Sequence, residues 1–344
     1  MNYSKLNLTG SSAPHIRTEN GTRQMMAAVL TALLPALGFA VYNFGPRPAI
    51  NVLVSVGGCC VFELLFRLAR RQDMTVGDLS AAVTGTLLAL SCPASVPYWL
   101  LLLGDFFAVV VVKQLCGGIG KNLVNPALAA QTLLMLLWPG RMCLWVAPHT
   151  SVALWGAVEA ATIPTPLELL QANDLAGLRE LYSLPEMLVG LTSGAAGEVS
   201  ALLLLAGGLF LMGRKVISWR IPVGFLGSAA VLTFLFAWGN NRTEWMLCEL
   251  LSGGLLLAAF FLATDPVTSP ISPTGQVIYG VGCGFFTVLL RYYGPWAEGA
   301  GLAVLLMNLL ARPLDEYLLT GHIERPALPR IPKVSIGKKT SQPK

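Results

Sequence analysis

Ten apolar runs follow one another along the chain: Met25–Phe44, Ala49–Phe66, Thr75–Leu90, Pro97–Val112, Leu123–Trp138, Met187–Met212, Ile221–Trp238, Trp245–Ala263, Gln276–Leu290 and Ala297–Ala311. A helix needs roughly 17 to 25 apolar residues to cross a bilayer core, and several of these runs fall short of that range. Only 12% of the residues are charged and 54% are hydrophobic. A soluble domain carries about twice that charge, so the apolar excess must face lipid. In lipid every backbone polar group needs a partner within the protein, which favours helices. The expected fold class is an all-α polytopic membrane protein of about ten transmembrane helices.

The basic residues orient it. With the N-terminus on the inside, 18 of the 23 Lys and Arg fall on inner loops and tails, and Arg47, Arg141, Arg179, Arg242 and Arg291 fall outside. That asymmetry follows the positive-inside rule. It predicts a cytoplasmic segment over 1–24, membrane halves over 25–138 and 187–312, an external loop over 139–186, and a cytoplasmic basic tail over 313–344. No apolar run precedes Met25, which argues against a cleaved signal peptide.

The two membrane halves share a pattern. Asp78-Leu79-Ser80 opens an apolar helix that breaks at Ser91–Pro97; Glu249–Ser252 opens another that breaks at Thr264–Pro273. Five spans per copy is an odd number, so the copies would run in opposite senses. The pattern predicts two inverted five-helix repeats whose broken helices expose backbone dipoles near the midplane.

The external loop is too long to be a mere connection. It contains Thr165-Pro166-Leu167-Glu168, a helix-start signature with Thr165 as N-cap and Glu168 closing a capping box. Helix N-termini also favour phosphate. From spacing alone, the cap is the simpler use of Thr165.

Ionisable groups at membrane depth are costly, which makes them candidates for an ion pathway. Asp105 lies mid-run, and Asp265 lies in the second break beside Thr264 and Thr268. A carboxylate among hydroxyls and freed carbonyls suits a hard cation, although a structural carboxylate joining helices reads equally well for Asp105 and is the simpler reading of Asp265. Glu63 and Lys113 are expected at the inner ends of their runs, reaching for headgroups. The segment Gly117-Gly118-Ile119-Gly120-Lys121-Asn122 has neither a Walker A ending nor a soluble βαβ setting, and is read as a tightly packed helix entry. The seven cysteines contain no C-x-x-C, and His15, His149 and His322 all lie outside the runs. No catalytic side chain, metal site, iron–sulfur motif, membrane haem or nucleic-acid signature is read from the sequence.

Glu159-Ala160-Ala161-Thr162-Ile163-Pro164-Thr165-Pro166-Leu167, Gly120–Leu128 (GKNLVNPAL) and Ala263–Pro270 (ATDPVTSP) carry a resemblance. With the run pattern, they make the chain similar over nearly its whole length to the RnfD/NqrB family: the D subunits of the Rnf ion-translocating electron-transport complexes and the B subunits of sodium-translocating NADH:quinone reductases. In that family the loop carries D-x-x-S-x-A-T-P-L, whose threonine is esterified by the phosphate of FMN. The resemblance implies Thr165 as the flavin-bearing residue and Thr162, where the family has serine, as second choice. Glu159 and Pro164 stand where aspartate and alanine are usual. It further implies a bacterial cytoplasmic membrane location, other Rnf subunits as partners, a flavin transferase for maturation, and a noncovalent flavin such as riboflavin in some members. The activity implied is electron transfer of the ferredoxin:NAD+ type coupled to Na+ or H+ translocation. The alternative is a solute channel of the urea-transporter kind without redox activity, which would not need the T-P-L-E loop.

Overall fold

The computed structural model describes residues 21–73, 75–154, 163–198, 200–237, 241–294 and 297–320. They are mostly helical, and no strand is present among them. The first half contains α1 (Thr22–Phe44), α2 (Arg47–Arg70), α3 (Ser80–Leu90), α4 (Tyr98–Phe106) and α5 (Pro126–Leu137). The connecting region holds the short helices α6 (Pro139–Met142), α7 (Pro166–Gln171), α8 (Leu175–Leu181) and α9 (Leu184–Val189). The second half contains α10 (Ala201–Gly213), α11 (Arg220–Phe236), α12 (Arg242–Leu251), α13 (Leu255–Leu257), α14 (Pro273–Tyr293) and α15 (Ala300–Thr320). Helices α1, α2 and α14 are long and apolar enough to cross a membrane, and the bent stretch Arg242–Leu262 passes as a fourth if taken as one span.

Several expected runs are interrupted for local reasons. The run expected from Thr75 becomes α-helical only at Ser80, because Leu79 is left-handed at φ 65° and Asp78 accepts from the Ser80 amide at 2.8 Å. The run from Met187 is split: α9 ends at left-handed Gly190, and α10 begins after Ser200, whose hydroxyl accepts from the Leu203 amide. The run from Trp245 bends by 64° at Ser252-Gly253-Gly254, where Gly253 takes φ 64°. Helix α4 runs on as a π-helical stretch, Phe107–Gln114, and α13 as another, Ala258–Leu262.

Two segments form the centre of the molecule. Nearly every residue of α3 is buried, as is every residue from Leu255 to Ala263. Helices that stop inside the protein leave carbonyls that need donors. For α3 these come from the segment before α10: the Gly197 amide donates to Leu90 O at 2.8 Å, the Ala196 amide to Cys92 O at 3.0 Å, and Pro93 pairs with Ala195. For the second segment, Asn125 reaches across from the first half and donates to Leu262 O at 3.3 Å. Each half thus closes an open helix end in the other.

Close approach elsewhere depends on small residues, as is usual between membrane helices. A Cβ on Gly280 would stand 2.7 Å from Ile221 O, and one on Gly284 2.5 Å from Phe225 O. Helices α11 and α14 therefore meet backbone to backbone along a G-x-x-x-G face. Gly85 plays the same part in α3, facing Ser55 and Val56 of α2 at 2.8 Å.

The charges expected at the headgroups are instead inside. Lys113 is 2% exposed and Glu63 fully buried. The Lys113 ammonium donates to Glu63 at 3.0 Å and to the Ser80 hydroxyl at 2.6 Å, while Gln114 and Thr75 donate to the other Glu63 oxygen, each at 2.8 Å. Near the far end of α14, Arg291 donates to Glu249 at 2.8 Å and to Ser252 O at 3.0 Å. Both clusters sit at the start of a central buried segment. Lys113 finds Glu63 and Ser80 within the protein, so its stem need not reach for water.

Removing one partner of a buried ion pair costs about 3–5 kcal/mol because the other charge is stranded. Lys113→Met is therefore expected to lower the unfolding midpoint in detergent sharply. Lys113→Met combined with Glu63→Gln should lose less than the two single changes together, since the stranded charge is gone.

Candidate functional site

Thr165 caps α7. Its hydroxyl oxygen accepts from the Glu168 amide at 3.1 Å, and Glu168 accepts from the Thr165 amide at 3.0 Å, the reciprocal box the spacing predicts. The other Glu168 oxygen accepts from the Trp145 indole at 3.0 Å. Pro164, just upstream, has no amide to satisfy, and its carbonyl accepts from Tyr182 at 2.9 Å and Ser193 at 3.2 Å. Burial raises the Tyr182 phenol above its ordinary value, which keeps it a donor. Leu170, Leu178, Tyr182 and Met187 then pack on Ala237, Trp245 and Cys248, so helices α7 to α9 are seated on the start of α12. The loop is a folded platform that holds one threonine at its edge.

Thr165 is 8% exposed, and its side chain borders a cavity of about 170 Å³. Glu168, Gln171, Ser193, Glu198 and Glu298 share the wall. Among the described residues the Thr165 hydroxyl accepts one hydrogen bond and donates none. Replacing its hydrogen by a phosphoryl group leaves the capping oxygen in place, so this threonine can be esterified without dismantling the helix start.

A second cavity lies between the halves at the opposite end. Its polar lining includes Ser80, Lys113, Asn122, Asn125, Thr264 and Asp265, and Phe260 and Phe261 supply aromatic walls. Asn125 is fully engaged as the N-cap of α5 and as donor to Leu262 O. The side-chain oxygen of Asn122, by contrast, is buried without a partner. The glycines before it turn the chain: Gly117, Gly118 and Gly120 all have positive φ, and Gly118 lies against the Arg67 guanidinium. They make a turn ahead of α5 rather than the tightly packed helix entry expected: Gly117 and Gly120 are exposed, and a Cβ on Gly120 would meet nothing. Asp265 accepts from the Thr268 hydroxyl at 3.2 Å and the Val267 amide at 3.4 Å.

Asp105 is enclosed between α2 and α4. The Ser55 hydroxyl donates to one oxygen and the Cys59 thiol lies 3.3 Å from it, while the other oxygen has no partner. Gly58 leaves room for it, and Leu102 closes the remaining space.

The sequence profile of the NQR2, RnfD, RnfE family matches residues 9–323. The chain belongs to that family. It is 41% identical to the D subunit of the Na+-translocating ferredoxin:NAD+ oxidoreductase complex of Acetobacterium woodii, over 91% of this chain and 93% of the relative. It is 34% identical to the D subunit of the proton-translocating ferredoxin:NAD+ oxidoreductase complex of Clostridium ljungdahlii, over 90% and 94%. It is 36% identical to the D subunit of the ion-translocating oxidoreductase complex of Alcanivorax borkumensis, over 91% and 95%.

Within this family member the residues singled out from the sequence fall into three places. Thr165 stands on the loop platform, Asp265 borders the cavity at the other end, and Asp105 lies apart from both. Thr162 and Glu159 lie outside the described residues. Sequence reasoning does not reach Glu198 and Glu298. Each sits beside a glycine in a short connecting stretch, and neither has a neighbour in sequence that marks it. Only the fold brings them to one cavity.

Loss of an N-cap box costs about 1 kcal/mol. Glu168→Ala is expected to raise hydrogen exchange across 166–171 and to change the Trp145 emission, while exchange in α3 stays protected.

Proposed function

We propose that this chain is the D subunit of an Rnf-type ion-translocating ferredoxin:NAD+ oxidoreductase, bearing FMN through a phosphoester to Thr165. The carrying observation is the placement of Thr165: a platform-mounted hydroxyl at a cavity edge, in the T-P-L context, whose oxygen caps a helix and whose hydrogen is unused. The relatives named as D subunits of such complexes support the reading. When bound, the isoalloxazine supplies electron chemistry that no side chain here provides. The chain holds the ester oxygen with the Glu168 amide, fixes the preceding carbonyl with Tyr182 and Ser193, and anchors the platform on α12. Thr162 remains the second-choice attachment point. The remaining Rnf subunits supply the ferredoxin and NAD chemistry, and a flavin transferase supplies the attachment.

The proposed architecture is ten membrane passages in two inverted halves, with both termini cytoplasmic and the Thr165 platform external, in a bacterial cytoplasmic membrane. Its support is a repeated device. In each half a left-handed residue, Leu79 or Gly253, precedes a helix that is buried almost throughout. In each, a basic residue of the next long segment, Lys113 or Arg291, reaches back to a serine at that helix start.

The cavity at the cytoplasmic end is the proposed seat of a noncovalent flavin. Its aromatic walls, its Lys113 ammonium and the unpartnered Asn122 oxygen suit a flat ring with both donors and acceptors. Asp265 on its rim is the better placed of the two candidate ion-pathway carboxylates, since Asp105 is shut in between helices. An inverted-repeat solute channel shares the broken helices, but gives the platform no task.

The test is covalent fluorescence. Expressed with a competent transferase, the polypeptide should carry flavin fluorescence through a denaturing gel. Thr165→Ala should abolish it and Thr165→Ser should retain a measurable share. Full fluorescence in Thr165→Ala together with its loss in Thr162→Ala would move the attachment, and a colourless wild-type chain would end the redox reading.

A further inference from the structure

Glu198 lies in the non-helical segment 191–198 that leads toward α10, with its backbone pinned by the bonds from Ala196 and Gly197 to the open end of α3. It is 9% exposed, and its carboxylate accepts no hydrogen bond from any described residue. It lies so close to Gly254 that a side chain there would have to displace the carboxylate. Glu298 reaches the same glycine through that residue's amide. One of its oxygens accepts from the Gly254 amide at 2.9 Å and the other from the Ala300 amide at 3.2 Å. Two backbone donors suit a carboxylate, whereas a buried carboxylate with none is costly to charge.

The local charges do not balance. Arg291 is the cation nearest the two acids; its two terminal nitrogens donate to Glu249 and to the carbonyls of Glu249 and Ser252, and its buried Nε donates to neither Glu198 nor Glu298. Glu168 faces the same cavity from α7, Cys143 lies beside it, and Cys92 approaches Glu198 from the break after α3. None of these groups supplies a positive charge. Three acids, Glu198, Glu298 and Glu249, against one guanidinium leave the Glu198 and Glu298 pair short of a cation.

We propose that Glu198 and Glu298 form a proton-exchange site on the Thr165 cavity, holding one proton between them with Glu198 as its bearer. The cavity of about 170 Å³ is large enough for water to carry the proton in and out. The pair shares that cavity with the threonine hydroxyl, so a change of charge on a group esterified there acts on the proton through protein rather than through bulk water. The site itself does not require that group, and its test is made without it.

The experiment uses the full-length chain with Thr165 unmodified, reconstituted in lipid nanodiscs, and reads the protonated-carboxyl C=O stretch by infrared difference spectroscopy across a pH titration. Wild type should show a carboxyl signal at neutral pH that is lost in Glu198→Gln and unchanged when choline chloride is replaced by sodium chloride. Glu298→Gln should keep the signal and lower its midpoint on the order of one pH unit, because a like charge has gone. This second variant is informative even if Glu198→Gln does not fold. Superimposable wild-type and Glu198→Gln spectra would overturn the proposal. So would an unmoved midpoint in Glu298→Gln, or a signal that sodium chloride removes, which would make the pair a sodium site.

Discussion

A helix that ends inside a membrane protein leaves carbonyls with no water to turn to, and much of this structure answers that constraint. Leu90 and Cys92 are paired by the amides of Gly197 and Ala196, and Leu262 by the Asn125 side chain. The donors come from the opposite half in both cases. The two halves are therefore not independent bundles placed side by side. Each leaves a terminus that the other must complete, and the segments that complete them also carry Glu198 and line the cavity with Asp265.

The same economy governs the charges. Lys113 and Arg291 each reach the beginning of a central helix, and each is neutralised there by a glutamate. An ion pair enclosed in protein contributes little net stability beyond its desolvation cost, but it discriminates strongly against arrangements in which one partner is left alone. These pairs specify where the central helices start. The G-x-x-x-G contact between α14 and α11 adds the dispersion and close approach that lipid cannot supply.

Much of this was legible in the residues. The capping box at Thr165 follows from T-P-L-E because it is a local matter of four residues. The two breaks follow from proline and serine clusters. What the sequence concealed is long-range: Glu63 and Lys113 looked like headgroup-seeking charges, since 50 positions separate them and only the fold makes them partners. Asp105 is tied to Ser55 and Cys59 for the same reason. The interruptions at Leu79 and Gly253 depend on left-handed backbone that apolar periodicity does not signal. Glu198 reads as an ordinary loop glutamate until Gly254 is seen against it.

The oxygen of Thr165 that ends one amide's search for a partner is the atom on which the redox proposal depends. In a helix start built this way the oxygen of the proposed ester still presents a lone pair to the Glu168 amide. The proposal therefore lets attachment follow folding, with the Glu168 carboxylate on the Thr165 amide as the one neighbour that meets the phosphate's charge.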